Sequence, residues 1–180
     1  MDDNKSKIIH LKFNWVLKMS KIENKVQKWL SDEGLFRQKV ADDNTNFHFI
    51  INYPEGHVLD VIQPKGKDDL IVIGCATNVS PEHVSKINAM TDDKKEKFIW
   101  DFRFLLNGQF VDFQLEHPNN VLQSFVITEE IYEDGLSKDR LISTVKKIFR
   151  AKLQGIWKIQ KKFGVMDEEQ RNVQQDNMYV

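Results

Sequence analysis

Apolar residues recur along this chain with two alternating periods, and the places where the period changes mark its elements. In residues 9–17, Ile9, Leu11, Phe13, Trp15 and Leu17 fall on one side, the two-residue period of a strand. From Lys21 the period lengthens. Ile22, Val26, Trp29 and Leu30 stand at i, i+4, i+7 and i+8, one stripe of a helix over about 21–33. Ser20 and Glu23 have the spacing of a capping box at its start. Gly34 closes it, because glycine takes the left-handed cap position without steric cost. Met19 stands just ahead of this cap, so the expectation is that it is the original start and that 1–18 is a peripheral extension.

The next forty residues return to the short period. FRQKV reads as a strand, and DDNTN as a turn whose side chains bond their own backbone. In NFHFIINYPEGHVLDVIQPKGKDDLIVIGC, three apolar runs are cut by PEG and PKGKD. Phe47, Phe49, Ile51 and Tyr53 share one face of the first run; His48, Ile50 and Asn52 share the other. Turns this short cannot carry a parallel crossover, so the strands pair as an antiparallel meander.

Helical spacing then resumes. Ser80 caps, and Pro81 and Glu82 suit a first helical turn. Thr91 caps a second helix that buries Phe98, Phe102 and Leu105, with Ile99 and Leu106 beside them, and Gly108 stops it. FVDFQLEH and VLQSFVITEEIY form a hairpin around PNN. A last helix runs from about Lys138 to Phe163, between a Ser137 cap and Gly164. Its apolar face reads Leu141, Ile142, Val145, Ile148, Phe149, Leu153, Ile156 and Phe163. The polar residues 166–180 read as a disordered tail.

The order α-β-β-β-(β)-α-α-β-β-α predicts an α+β domain over 19–165: five or six antiparallel strands with helices on one face. The quoted segments KVQKWLSDEGLF, NFHFIINYP, DVIQPKGKDDLIVIG, SPEHV, IYEDGLSKDRLISTVKKIF and KLQGIWKIQKKFG resemble a family of uncharacterised, chiefly archaeal proteins, over roughly residues 20–165. The element order also resembles the type III secretion chaperone fold, and that resemblance implies a dimer that binds extended polypeptide. Neither resemblance supplies catalytic residues.

Composition changes this picture little. At 180 residues the chain can bury a sizeable core, and its net charge of −1 singles out no charged partner. No apolar run reaches the ~18 residues needed to span a bilayer, and the first residues do not resemble a signal peptide. A cytoplasmic protein is the expectation. One cysteine, Cys75, excludes an internal disulfide framework and a multi-cysteine metal site.

The five histidines, His10, His48, His57, His83 and His117, show no metal-ligand spacing. His48 and Asp60 sit on neighbouring strands where they can meet, an acid–base pair in principle; a hydrogen-bonded strand residue is the simpler reading. Cys75 precedes the start of a helix, a setting that can activate a thiol, yet a buried inert cysteine needs less. Glu129, Glu130, Glu133 and Asp134 lack the spacing of a calcium loop and read as a solvated strand end. No cofactor is called for.

Charge is unevenly placed. Residues 138–164 hold nine basic residues and one acid, +8 against −9 for the rest of the chain. Lys146, Lys147, Arg150, Lys158 and Lys161 form a candidate face for phosphate, an anionic surface or an acidic protein, with Lys152 falling toward the apolar side. Trp100 and Trp157, at the margins of their stripes, are candidate interface residues for a homodimer. The expected function is a non-enzymatic, dimeric module that binds a protein or peptide. A nucleic-acid or anionic-surface binder is the alternative, and an enzyme using His48, Asp60 or Cys75 is the third reading.

Overall fold

The structure, a computed structural model, describes residues 21–165. The strand period at 9–17, the extension 1–18, the start at Met19, the cap Ser20 and the tail 166–180 all lie outside the described residues. Six strands hydrogen-bond as one antiparallel sheet in the order β1-β2-β3-β4-β6-β5. Four helices accompany it among the described residues, in the order read from the sequence, so the fold is α+β. The described chain divides into two compact units, 21–73 with 130–145 and 74–129 with 146–165.

In the first unit, helix α1 covers residues 21–32 and buries Ile22, Val26 and Leu30. It ends as Gly34 predicts. Gly34 takes φ +68, its N–H donates to Ser31 O, and the Leu35 N–H reaches back to Leu30 O at 2.8 Å. These are the two bonds of a Schellman cap. Strands β1 (Phe36–Val40), β2 (Thr45–Asn52) and β3 (Val58–Pro64) follow as the expected meander. The β1–β2 turn is set by Asp42, whose Oδ1 accepts the Asn44 N–H at 2.9 Å. Phe47, Phe49 and Ile51 are buried on one face of β2, and their rings stack at 4.7 Å for the phenylalanine pair. Ile50, on the opposite face, is buried as well. Simple alternation does not foresee that.

Strand β4 (Leu70–Asn78) leads into the second unit, where α2 (Pro81–Asn88) and α3 (Asp92–Asn107) precede the hairpin of β5 (Asp112–Glu116) and β6 (Ser124–Tyr132). Hairpin register pairs Asp112 with Thr128 and Glu116 with Ser124. Helix α2 is capped by Ser80, whose hydroxyl accepts the His83 N–H. Thr91 stands at the start of α3, but its hydroxyl makes no capping bond. Gly108 ends α3 in right-handed geometry, and the left-handed turn falls instead on Phe110, at φ 55.

Helix α4 (Lys138–Phe163) has the expected bounds, with the Arg140 N–H on Ser137 Oγ at one end and Gly164 at φ +97 beyond the other. Its most buried line is not the one that large apolar residues suggest. Buried positions include Leu141, Thr144, Val145, Ile148, Ala151, Lys152 and Ile159, while Ile142, Phe149, Leu153, Ile156 and Phe163 are only partly covered. Small residues sit where α4 comes closest to the aromatic core. A Cβ on Gly155 would stand 2.9 Å from Phe125 Cζ and 3.1 Å from Phe102 Cζ. On α3 the same core takes Leu106 rather than Leu105.

Candidate functional site

The reactive groups read from the sequence are each drawn into local structure. His48 and Asp60 do meet: Nε2–H donates to Asp60 Oδ1 at 2.8 Å, from β2 to β3. The other ring nitrogen is buried and faces Asp42 Oδ2 at 3.4 Å, so the imidazole is clamped between two carboxylates. His83 is buried at the start of α2. Its Nδ1 accepts from Ser80 Oγ at 2.9 Å and its Nε2–H donates to Gly164 O at 3.0 Å, a side-chain strap on the end of α4. Lys86 adds a bond to Phe163 O. His117 Nε2 accepts from the Arg103 guanidinium at 2.9 Å. Cys75 is buried. No group of three His, Cys, Asp or Glu residues among those described is placed to hold a metal ion.

The carboxylate cluster that begins at the end of β6 differs from the solvated strand end expected of it. Glu129 is buried and pairs with Lys147 Nζ at 2.7 Å. Glu130 accepts from the Tyr132 hydroxyl, and its charge holds that phenol above its usual range. Inward-facing Glu129 follows from strand alternation: Phe125, Ile127, Glu129 and Ile131 share one face of β6.

The basic residues of α4 separate into two sets. Lys147 is held by Glu129, and Lys158 stands 3.6 Å from Asp101 Oδ2. Lys146, Arg150 and Lys161 are exposed. At 100° per residue Trp157 lies opposite the buried line through Ala151, Gly155 and Ile159, not at its margin. It is 54% exposed, between Arg150 and Lys161 on the same stripe.

Packing of α3 beside α4 also gathers charges that lie far apart in sequence. Lys97 Nζ is 3.5 Å from Asp101 Oδ1, the carboxylate that faces Lys158. The Lys162 ammonium rests over the Phe98 ring at 4.7 Å and the Phe163 ring at 5.7 Å. Burial lowers its pKa, Asp101 opposes that shift, and Lys158, Lys97 and Lys94 reinforce it. Lys97 and Lys158 thus share one carboxylate, and its charge also reaches Lys162. Sequence reading counted Lys162 among the nine basic residues of the last helix without placing it on the candidate face, and it passed over Lys94 and Lys97 because the only signal was Asp101 at i+4 from Lys97, an ordinary helix pair.

The outer face of α3 is aromatic. Trp100 is 47% and Phe104 68% exposed, their rings 5.9 Å apart, with the Arg103 guanidinium 4.8 Å from the Trp100 centroid. Phe110, three residues beyond the helix, is 84% exposed. No helix of the described residues is long and apolar enough to cross a membrane.

Fold and surface together define an α+β protein with an antiparallel six-stranded sheet and an aromatic and basic helical exterior. Within that class the chain belongs to the family described as "Uncharacterized conserved protein (DUF2299)", whose model matches residues 22–159. It is similar to an uncharacterized protein from Methanothermobacter thermautotrophicus in its crystal structure. There the identity is 57% and the TM-score 0.77, over 79% of this chain and 99% of that one. A more distant similarity is to YbjN, a proposed transcription regulator from E. coli, at 14% identity and TM-score 0.44 over 71% of this chain and 86% of that one. No curated protein matches the sequence significantly.

Proposed function

We propose that the protein is a non-enzymatic binding module whose first partner is a second copy of itself, docked through the aromatic ridge of α3. The observation that carries this is Phe110. A left-handed backbone costs an L-residue about 1–2 kcal/mol, and this ring is almost wholly outside the chain's own core. Cost without burial inside the molecule argues for burial between molecules. Trp100 and Phe104, whose rings lie 5.9 Å apart on α3, are exposed as well. An aromatic side chain buries roughly 150–250 Å² when covered, so the exposed parts of these three amount to about 400 Å². That is about half of the ~800 Å² that each partner contributes to a standard interface, which suits a weak, reversible dimer.

Reading the protein as a non-enzyme rests on how the reactive groups are engaged. His48, His83 and His117 are committed to bonds within the fold, and the thiol of Cys75 is buried. None is paired with a nucleophile in an open cleft.

Sedimentation velocity tests the proposal. The mass should rise from the 21.2 kDa of one chain toward twice that value across the micromolar range. Phe104→Glu should hold the protein at the monomer mass with an unchanged melting temperature, because the ring contributes little to the monomer's core. A wild-type chain that stays monomeric throughout, or a Phe104→Glu variant that still dimerises, contradicts it.

A further inference from the structure

The basic surface of α4 is not explained by self-association through the aromatic ridge of α3, although Lys97 stands on the same stripe of α3 as Phe104. Lys97 and Lys158 both ion-pair with Asp101, whose charge also acts on Lys162, and Lys94, Lys97 and Lys158 all act on that same Lys162 ammonium. Both ion pairs to Asp101 are long, at 3.5 and 3.6 Å, so its one charge is divided among several ammonium groups. Around the surface of α4 the positive charge continues through Lys161, Arg150 and Lys146, all exposed. Asp139 is the only acid on α4, and it precedes this segment. On that stripe of Lys146, Arg150 and Lys161 stands Trp157, more than half exposed although α4 has a full apolar face elsewhere in which to place a ring; Lys158 and Lys162 lie about 100° and 140° further round the helix.

We infer that this face binds single-stranded nucleic acid, with the lysines and Arg150 taking phosphates and Trp157 stacking on an unpaired base. The pairing of a cationic track with an aromatic platform is what such strands require, because each nucleotide offers a charge and a flat π-face. Duplex is a poorer fit, since its bases are stacked on one another and closed to an indole. An anionic membrane also fits less well. A helix that lies in a bilayer surface inserts an apolar face, and the apolar side chains of α4 at Leu141, Val145, Ile148 and Ile159 are already buried within the protein. On the exposed stripe Trp157 is flanked by charged residues, leaving one ring to anchor a membrane and one ring to hold a base.

The full chain should be titrated with a fluorescein-labelled oligothymidylate, with a duplex of equal length and with vesicles of mixed phosphatidylserine and phosphatidylcholine. The expected result is binding to the single strand that quenches Trp157 and weakens steeply as salt rises from about 50 to 200 mM. Trp157→Ala should lower affinity about tenfold, in line with the ~1–3 kcal/mol of one stacked base, and Trp157→Phe should restore most of it. Lys146→Glu combined with Arg150→Glu and Lys161→Glu should abolish binding at a melting temperature equal to wild type. Equal or tighter binding to duplex or vesicles would overturn the inference, as would full affinity in Trp157→Ala or no binding at low salt. The Phe104→Glu monomer serves as a second host: retained oligothymidylate binding there separates this face from the self-association surface.

Discussion

Phe110 and Gly155 are two residues whose identities look unfavourable and whose surroundings explain them in opposite ways. Glycine inside a helix costs about 1 kcal/mol relative to alanine. At Gly155 that cost is met because the Phe125 and Phe102 rings occupy the space a Cβ would need. Gly155→Ala is therefore expected to destabilise the protein. Overpacking of ~1–3 kcal/mol outweighs the propensity gain, for a net loss of about 1 kcal/mol in a urea titration. Phe110 has no such internal reason. Asparagine tolerates its left-handed backbone well. Phe110→Asn should leave the monomer as stable as wild type, or more stable by up to about 1 kcal/mol, while weakening self-association several-fold. Loss of monomer stability in that variant would show that the ring serves the fold instead. Neither role was visible in the sequence, since Phe110 read as the first residue of the strand FVDFQLEH, which in the structure begins only at Asp112, and Gly155 was one residue in a helical run. Only the neighbours contributed by other elements give each residue its meaning.

At the scale of elements, local chemistry was legible and lateral chemistry was not. Bonds at Ser80, Ser137, Gly34 and Asp42 stand where the sequence placed them, because a cap or a turn is decided within a few residues. The buried line of α4 was misplaced because counting large apolar residues ignores the close approach that Ala151 and Gly155 permit. Likewise the His48–Asp60 contact followed from strand adjacency, whereas the lysine cluster needed α3 and α4 side by side. That cluster has a measurable consequence. Burial and neighbouring lysines hold Lys162 below the ordinary lysine value of 10.5. With the folded pKa lower than the unfolded one, the charged amine opposes folding at neutral pH, and this opposition fades as pH climbs through the folded pKa to above 10.5. In NMR titrations of methylated lysines, Lys162 should show the depressed pKa, and Lys97→Gln with Lys158→Gln should raise it. A Lys162 that titrates with the other lysines in both proteins would contradict the proximity of these charges.

For the molecule as a whole, the order of elements was enough to give α+β architecture and the antiparallel pairing of the meander and the hairpin, where short turns leave the strands no other arrangement; β4 reaches the hairpin through two helices, and its pairing with β6 was not fixed that way. The reversal of β5 and β6 at the edge of the sheet was not legible. Hairpin register is local, but the choice of which hairpin strand lies against β4 is made by packing across the whole fold. Exposure was partly legible: helical phase marked Trp157, Lys146, Arg150 and Lys161, which are exposed, while Lys147 is bound to Glu129 and Lys158 faces Asp101. Fold alone assigns none of these surfaces a role. The proposed contact of α3 with a second α3 can be read as a distance between the two copies. With Asn107 replaced by cysteine and spin-labelled, at the end of that helix, pulsed electron–electron resonance reads label-to-label separation in the assembled protein. A single short, narrow distance that disappears on adding Phe104→Glu is the predicted result. A broad or long distribution, or none at concentrations where the protein sediments as a dimer, would place the interface elsewhere and contradict the account.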